Sequence, residues 1–303
     1  SKNKLVEPTY HTGDNSLMNK KNVVILIVEG LSREYVGLLN KNKGYTPNLD
    51  SLFQKGMLCS RAFANGRTTL NALPAILCSE PAMSDFPYIL DGNFSDDFRS
   101  IAELLKNLGY STHFFYGSNN GNLGIENFAK KIGFVNYYGL NQYPDKSDFD
   151  GYWGIFDDKF LGFSVDIMDT LKEPFLSCIL TLSSHHPFMV PENFKQQNPN
   201  ILNKHQNSIL YSDYALSEFF KKASKTTWYS NTLFILTADH TSETFNPKYR
   251  SQLGMYAIPI WFFQPADSNL NGFNNKITEQ IDLFPSIMDY LKINRRDIYW
   301  GES

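Results

Sequence analysis

The chain is poor in the features that would mark the simplest functional classes. It has 3 cysteines in 303 residues. That is too few for a disulfide scaffold, and Cys59, Cys78 and Cys178 are too far apart for a zinc ribbon. They read as buried small hydrophobes. No run approaches the roughly 18 apolar residues of a membrane span. Basic residues are not in excess: 28 Lys and Arg face 31 Asp and Glu, for a net charge of −3. A generic nucleic-acid binder would carry a basic stripe, so nucleic acid is not an expected partner. There is no internal repeat and no low-complexity block. The first residue is Ser, not Met, so a processed or shortened chain is expected, with a membrane segment upstream.

What is present is a globular composition. Apolar residues make up 42% and charged residues 19%, enough for a large core. At roughly 150 residues per domain the length would allow about two domains, but α/β folds often exceed 250 residues as one. Residues 1–21 are polar and aperiodic and read as a tail or tether. Residues 22–303 read as one catalytic domain.

Continuous apolar runs mark strands buried on both faces. They lie in Asn22–Gly30, Phe175–Leu182, Thr232–Ala238 and Ile258–Phe263. Helical patterns lie between them at 100–108, 158–171, 208–224 and 280–291. This alternation predicts an α/β fold with a mostly parallel central sheet sandwiched by helices. A small C-terminal subregion is a further expectation. Segments 136–157 and 186–207 read as long irregular loops, which are often functional.

Ligands bind beyond the carboxyl ends of strands in such sheets. Three of the runs end there in titratable groups: Glu29, His185 and the pair Asp239-His240. Each alone fits a solvated strand end or a turn. Together, carboxylate and imidazole suit a zinc, manganese or magnesium-like ion. A fourth element, Asn65-Gly66-Arg67-Thr68-Thr69-Leu70, turns on glycine and leads into a helix. A helix N-terminus offers free N–H groups to an anion. A Thr hydroxyl there is either a plain cap or a nucleophile activated by a metal.

These residues resemble the alkaline phosphatase superfamily, in its sulfatase-like, lipoteichoic-acid-synthase and phosphoethanolamine-transferase branch. The matching pieces occur in family order over roughly residues 20–291. They are VVILIVEG, TPNLDSLFQKG, GRTTLNALPAIL, GYSTHFFYG, YWGIFDD, TLSSHHPF, LYSDYALSEFF, TADHT and EQIDLFPSIMDYL.

The resemblance implies one divalent metal, manganese or zinc with magnesium as the alternative, held by Glu29, Thr69, Asp239 and His240. It implies Thr69 as nucleophile, five residues before Pro74, with adjacent Thr68 as the alternative. It implies His185 as a catalytic and substrate contact and Trp153 as a substrate contact. His186 is a second site residue or a loop histidine. Arg67, two before Thr69, is a phosphate ligand or a solvated turn residue. No arginine stands beside Trp153 as a phosphate clamp. No Cys-x-Pro-x-Arg element exists, which argues against the formylglycine route of dedicated sulfatases.

The implied chemistry is transfer of a phosphoglycerol or phosphoethanolamine head group through a phospho-threonine. The donor would be a phospholipid and the acceptor a glycan or lipid. The alternative is a phosphodiesterase or sulfatase using water. The implied location is the extracytoplasmic face of the cytoplasmic membrane.

Overall fold

The computed structural model describes residues 18–41, 43–83, 87–90, 99–198, 203–293 and 300–303. Most of the expected tail, residues 1–17, lies outside the described residues. At residues 18–21 the chain already touches the domain, where the Asn19 N–H donates to the Leu291 carbonyl at 2.8 Å.

The elements in chain order are β1 (Asn22–Val28), α1 (Pro47–Phe53), β2 (Met57–Phe63), α2 (Thr69–Cys78), α3 (Ile101–Asn107), β3 (Ser111–Tyr116), α4 (Ile125–Lys131) and β4 (Asn136–Tyr138). Then follow α5 (Asp157–Met168), β5 (Phe175–Leu180), α6 (Glu192–Gln197), α7 (Lys204–Ala223), β6 (Thr232–Ala238), β7 (Ile260–Phe263), β8 (Gly272–Glu279) and α8 (Leu283–Tyr290). The strands form one sheet in the order β4-β3-β5-β1-β6-β7-β2-β8.

The apolar runs behave as their composition requires. All seven residues of β1 and of β6 are buried, because each strand is paired on both edges and covered on both faces. β1 pairs in parallel with β5 and with β6. β7 is the exception among the expected runs. It runs antiparallel to β6 and to β2, so the sheet is mostly parallel rather than wholly so. The C-terminal elements add to this same sheet, with β8 parallel to β2 at its edge.

Helices pack in two groups, α1 and α5 against α7, and α3 and α8 against α2. Asp213 of α7 ties α1 into place. Its carboxylate accepts from the N–H groups of Asn48 and Leu49 at 3.1 and 2.7 Å, satisfying donors that a helix start leaves free.

Both expected loops contain structure. Segment 136–157 holds β4. Segment 186–207 holds α6 and the first turn of α7, which starts at Lys204 because the Asn203 side chain caps it by accepting from the Gln206 N–H. Residues 199–202 of that segment lie outside the described residues. The three cysteines are buried and unpaired, as expected.

Candidate active site

Register builds the centre of the site. Val28 of β1 stands beside Ala238 of β6, so the residues that follow, Glu29 and Asp239, leave the sheet side by side at its carboxyl edge. The Asp239 Oδ1 atom is fixed by two backbone donors, Gly30 at 2.8 Å and His240 at 2.7 Å. Gly30 has φ +61°, and a Cβ there would lie 2.8 Å from the Ser242 Cβ, so glycine is required at this crossing. Glu29 is held at its backbone. Its N–H donates to the Thr181 hydroxyl at 3.0 Å, and its carbonyl accepts from the Ser184 hydroxyl at 2.5 Å.

Thr69 enters from the loop that follows β2. The loop before α2 is clamped to the end of β6 by Gln280, which is fully buried. Its amide nitrogen donates to the Ala238 and Asp239 carbonyls at 2.8 and 2.7 Å, and its amide oxygen accepts from the Asn65 N–H at 2.9 Å. Thr68 takes the N-cap backbone conformation without making a side-chain cap, and Thr69 is the first residue of α2. The Thr69 hydroxyl lies 2.7 Å from Asp239 Oδ2 and 3.5 Å from Glu29 Oε2. Thr68 and Arg67 are exposed on the turn. The geometry therefore brings Thr69 to the carboxylates and leaves its two predecessors in solvent.

His240 completes the cluster. Its Nε2 lies 3.3 Å from Asp239 Oδ2 and 3.7 Å from Glu29 Oε1. Its Nδ1 faces the Thr241 carbonyl at 2.9 Å, an acceptor only, so Nδ1 donates there and Nε2 is the ring atom turned to the carboxylates. Two carboxylates and an imidazole nitrogen thus face one another with their ligating atoms all within 4.8 Å. Burial, then the charge of Asp239, pushes the Glu29 carboxyl well above its ordinary range. Asp157 adds a further negative charge. A buried cluster of acceptors with this repulsion fits a divalent cation, and the O and N donor set suits zinc, manganese or magnesium.

His185 follows Ser184, whose hydroxyl holds the Glu29 carbonyl, and it lies against Trp153. Their rings are 4.0 Å apart between centroids. The His186 carbonyl joins them, accepting from Trp153 Nε1 at 2.7 Å and facing His185 Nδ1 at 2.9 Å. The His186 ring itself is exposed.

The residues that support this arrangement were not singled out from sequence. Asp150 Oδ1 accepts from the N–H groups of Tyr152, Trp153 and Gly154 at 2.8, 2.8 and 3.1 Å. Its place ahead of a Gly-aromatic turn was the available signal. Asp157 caps the chain before His185, accepting from Leu182 and Ser183 N–H at 2.9 and 3.0 Å.

Comparison with known proteins agrees with this architecture. The chain is 23% identical over 327 residues to the lipoteichoic acid synthase-like protein YvgJ of Bacillus subtilis, covering 97% of this chain and 52% of that protein. It is 25% identical over 240 residues to phosphoglycerol transferase I of Salmonella choleraesuis, covering 73% of this chain and 31% of that protein. It therefore spans about half or less of the length of these relatives. A solved alkaline phosphatase superfamily protein from Vibrio parahaemolyticus superposes with a TM-score of 0.81 at 27% identity, covering 97% of this chain and 74% of that one. The sulfatase family matches residues 21–293, and the chain belongs to that family.

Proposed function

We propose that this domain transfers a phosphoryl-linked head group through a covalent intermediate on Thr69. The observation that carries the reading is the Thr69 hydroxyl, at the start of α2 and 2.7 Å from Asp239 in a cluster that fits a cation. Glu29, Asp239, His240 and Thr69 would hold one divalent ion, manganese or zinc, with magnesium as the alternative. When bound, such an ion supplies positive charge that lowers the pKa of a nearby hydroxyl and offsets charge on the transferring group.

The chain's own residues do the rest. Thr69 Oγ1 forms a bond to phosphorus as the bond to the leaving oxygen breaks, and the proton Thr69 gives up balances the one the leaving oxygen gains. His185 has its Nδ1–H directed at the His186 carbonyl, which leaves Nε2 to carry that proton. The free N–H groups at the start of α2 face the anion. Attack by an acceptor hydroxyl then breaks the P–Oγ1 bond and returns the proton to Thr69.

The relatives' names, phosphoglycerol transferase and lipoteichoic acid synthase-like protein, support a phosphoglycerol or related head group; the proposed donor is a phospholipid and the proposed acceptor a glycan or lipid. Trp153, His186 and Arg67 are the proposed substrate contacts. The same reading makes residues 22–303 the catalytic domain and residues 1–21 its link to a membrane, on the extracytoplasmic side. No helix among the described residues is long and apolar enough to cross a membrane.

The test is turnover of a head-group-labelled phospholipid with divalent metal, with and without a glycan acceptor. The wild type and Thr68→Ala should release labelled product, and Thr69→Ala should not. Mass spectrometry should find the labelled adduct on Thr69. Activity in Thr69→Ala would overturn the scheme. Equal release with and without acceptor would assign water as the acceptor.

A further inference from the structure

Three lysines surround a cavity of about 600 Å³ whose wall includes Tyr35, Lys41, Lys43, Tyr45, Gln206 and Lys248. We propose that this cavity binds a small phosphate-bearing anion, as a site separate from the Thr69 cluster. Such a site is additional to the proposed transfer chemistry and does not depend on it.

Charge points to the ligand class. The chain as a whole carries −3, yet Lys41, Lys43 and Lys248 bring three ammonium groups to one wall, against the one carboxylate of Glu34. Both Glu34 oxygens already serve the backbone. Oε1 accepts from the Phe245 and Asn246 N–H groups at 3.1 and 2.7 Å, and Oε2 accepts from Phe245 at 3.1 Å. Three positive charges less one negative leave a surplus of two. That surplus is close to the charge of a phosphate monoester at neutral pH. Like charges gathered at one cavity raise the local potential and attract an anion. The Gln206 amide and the Tyr45 hydroxyl add neutral donors for phosphate oxygens.

The lysines stand on fixed backbone. The Asn40 amide donates to the Arg33 and Val36 carbonyls at 2.6 and 2.9 Å, and its oxygen accepts from the Tyr249 hydroxyl at 2.6 Å. The Lys43 N–H donates to the Asn40 carbonyl at 3.1 Å, and the Tyr45 N–H to the Tyr35 carbonyl at 2.8 Å. Asn246 Oδ1 accepts from the Lys248 N–H at 3.0 Å, and the Lys248 ammonium lies 5.3 Å from the centre of the Tyr249 ring. Tyr249 thus ties the loop of Lys41 and Lys43 to the segment of Lys248. A preorganised wall loses less entropy on binding.

Lys41 adds a conformational sign. Its φ is +55°, in the left-handed region where glycine is the easier residue. Strained backbone of this kind clusters at ligand clamps. The cavity also adjoins the loop that carries His240, because the Tyr35 hydroxyl donates to the Glu243 carbonyl.

The same phosphate chemistry is offered by a soluble ester and by a lipid head group, so the experiment has two arms. Inorganic phosphate is titrated into the zinc-loaded protein and followed by NMR, and vesicles of phosphatidylglycerol are tested by co-sedimentation. Phosphate should shift the amides of Lys43, Tyr45, Gln206 and Lys248. Lys248→Gln should weaken binding by about 3- to 10-fold, the loss expected of one exposed charge pair. Lys248→Arg should retain it, and so should Lys55→Gln at an exposed lysine outside the cavity. Lys41→Gly relieves the backbone while removing the ammonium group. It should keep or raise the Tm and still weaken phosphate by a similar factor, which a purely structural Lys41 would not do. Binding of vesicles with the same losses, but without phosphate shifts, would assign the head group as the source. Absence of binding in both arms, binding unchanged in both Lys248→Gln and Lys41→Gly, or an equal loss in Lys55→Gln would each overturn the site.

Discussion

The Ser242 hydroxyl donates to His205 Nε2 at 2.5 Å, two residues after His240 and from the opposite side of the loop. The bond is one link in a closed circuit. The Glu243 N–H donates to Ser242 Oγ at 2.6 Å. His205 Nδ1 then donates to the Tyr35 oxygen at 3.3 Å, and the Tyr35 hydroxyl donates back to the Glu243 carbonyl. Every proton in the ring has one acceptor, which fixes His205 as the neutral Nδ1–H tautomer. The His205 ring also packs on Phe188, 4.7 Å between centroids, three residues after His185. One buried imidazole therefore joins the loop that carries His240 to the loop that carries His185.

His205→Phe should keep the fold but loosen both loops. Outer-shell partners of metal ligands typically change affinity or activity by about 10–100-fold. We expect kcat to fall and metal Kd to rise within that range, with a smaller change in donor KM. Ser242→Ala should act in the same direction, and the double variant should be less than additive, since both residues belong to one circuit. Calorimetric metal titration with steady-state kinetics checks this. Unchanged metal affinity and kcat in both single variants would reduce the circuit to a packing detail.

Glu29→Gln should move binding and stability in opposite directions. In the metal-free protein burial and the charge of Asp239 both disfavour ionised Glu29. Removing that charge should raise the melting temperature in chelator by about 2 °C, equivalent to about 1 kcal/mol. The same change should weaken metal by more than the roughly 10–100-fold of outer-shell substitutions. Melting curves with chelator and with excess manganese or zinc decide it. A lower melting temperature in chelator would mean that Glu29 is held by more than a cation.

The contrast between β1 and β8 explains how much of the fold could be read from sequence. β1 is apolar from Val23 to Val28 because both of its faces and both of its edges are covered. β8, with the sequence GFNNKITE, is an edge strand and largely exposed, so water rather than the core chose its residues. β2 is paired on both edges but is interrupted by Ser60 and exposed Arg61, where its register to β8 shifts. In the site, Glu29 and Asp239 stand out because they end apolar runs. Gln280, Asp157 and His205 do not, because their roles exist only through partners such as Asp239, Leu182 and Ser242. No local periodicity marks a residue whose only signal is a contact made across the fold.

Asp157 predicts a loss of stability as pH rises from acid to neutral. Burial pushes its carboxyl up from 3.8 to about 7, against the Leu182 and Ser183 hydrogen bonds that lower it. A group whose pKa is raised by folding stabilises most fully below its unfolded value, and that contribution disappears as pH rises through the folded value. Wild-type stability should therefore fall relative to Asp157→Asn between about pH 4 and 7 and level off above that. The variant should be less stable throughout by about 1–3 kcal/mol, because its amide nitrogen would face a backbone N–H. Denaturant melts of both proteins at each pH provide the measurement. Parallel curves would show that Asp157 does not titrate in that window.

His113 governs the acid side. It lies on β3 between Asn136 of β4 and Ser177 of β5, and neither ring nitrogen has a hydrogen-bond partner in the structure. Burial lowers its pKa from 6.5 to about 4. Folding thus favours the neutral ring, and the stability this gives is present above pH 6.5 and is lost as pH falls toward 4. His113→Leu removes both the titration and two unsatisfied polar atoms. Replacing such a group by an apolar one of similar size is nearly neutral or stabilising. At pH 7 the variant should match or exceed the wild type, and its advantage should widen steadily from pH 6.5 to 4. The wild-type ring also lies near Tyr138, 6.1 Å between centroids, so a loss of stability at pH 7 would mean that this stacking outweighs the two empty nitrogens. An advantage that stays constant as the pH falls would show that His113 does not carry the acid sensitivity, and would leave His205, also lowered to about 4 by burial, as the next residue to replace.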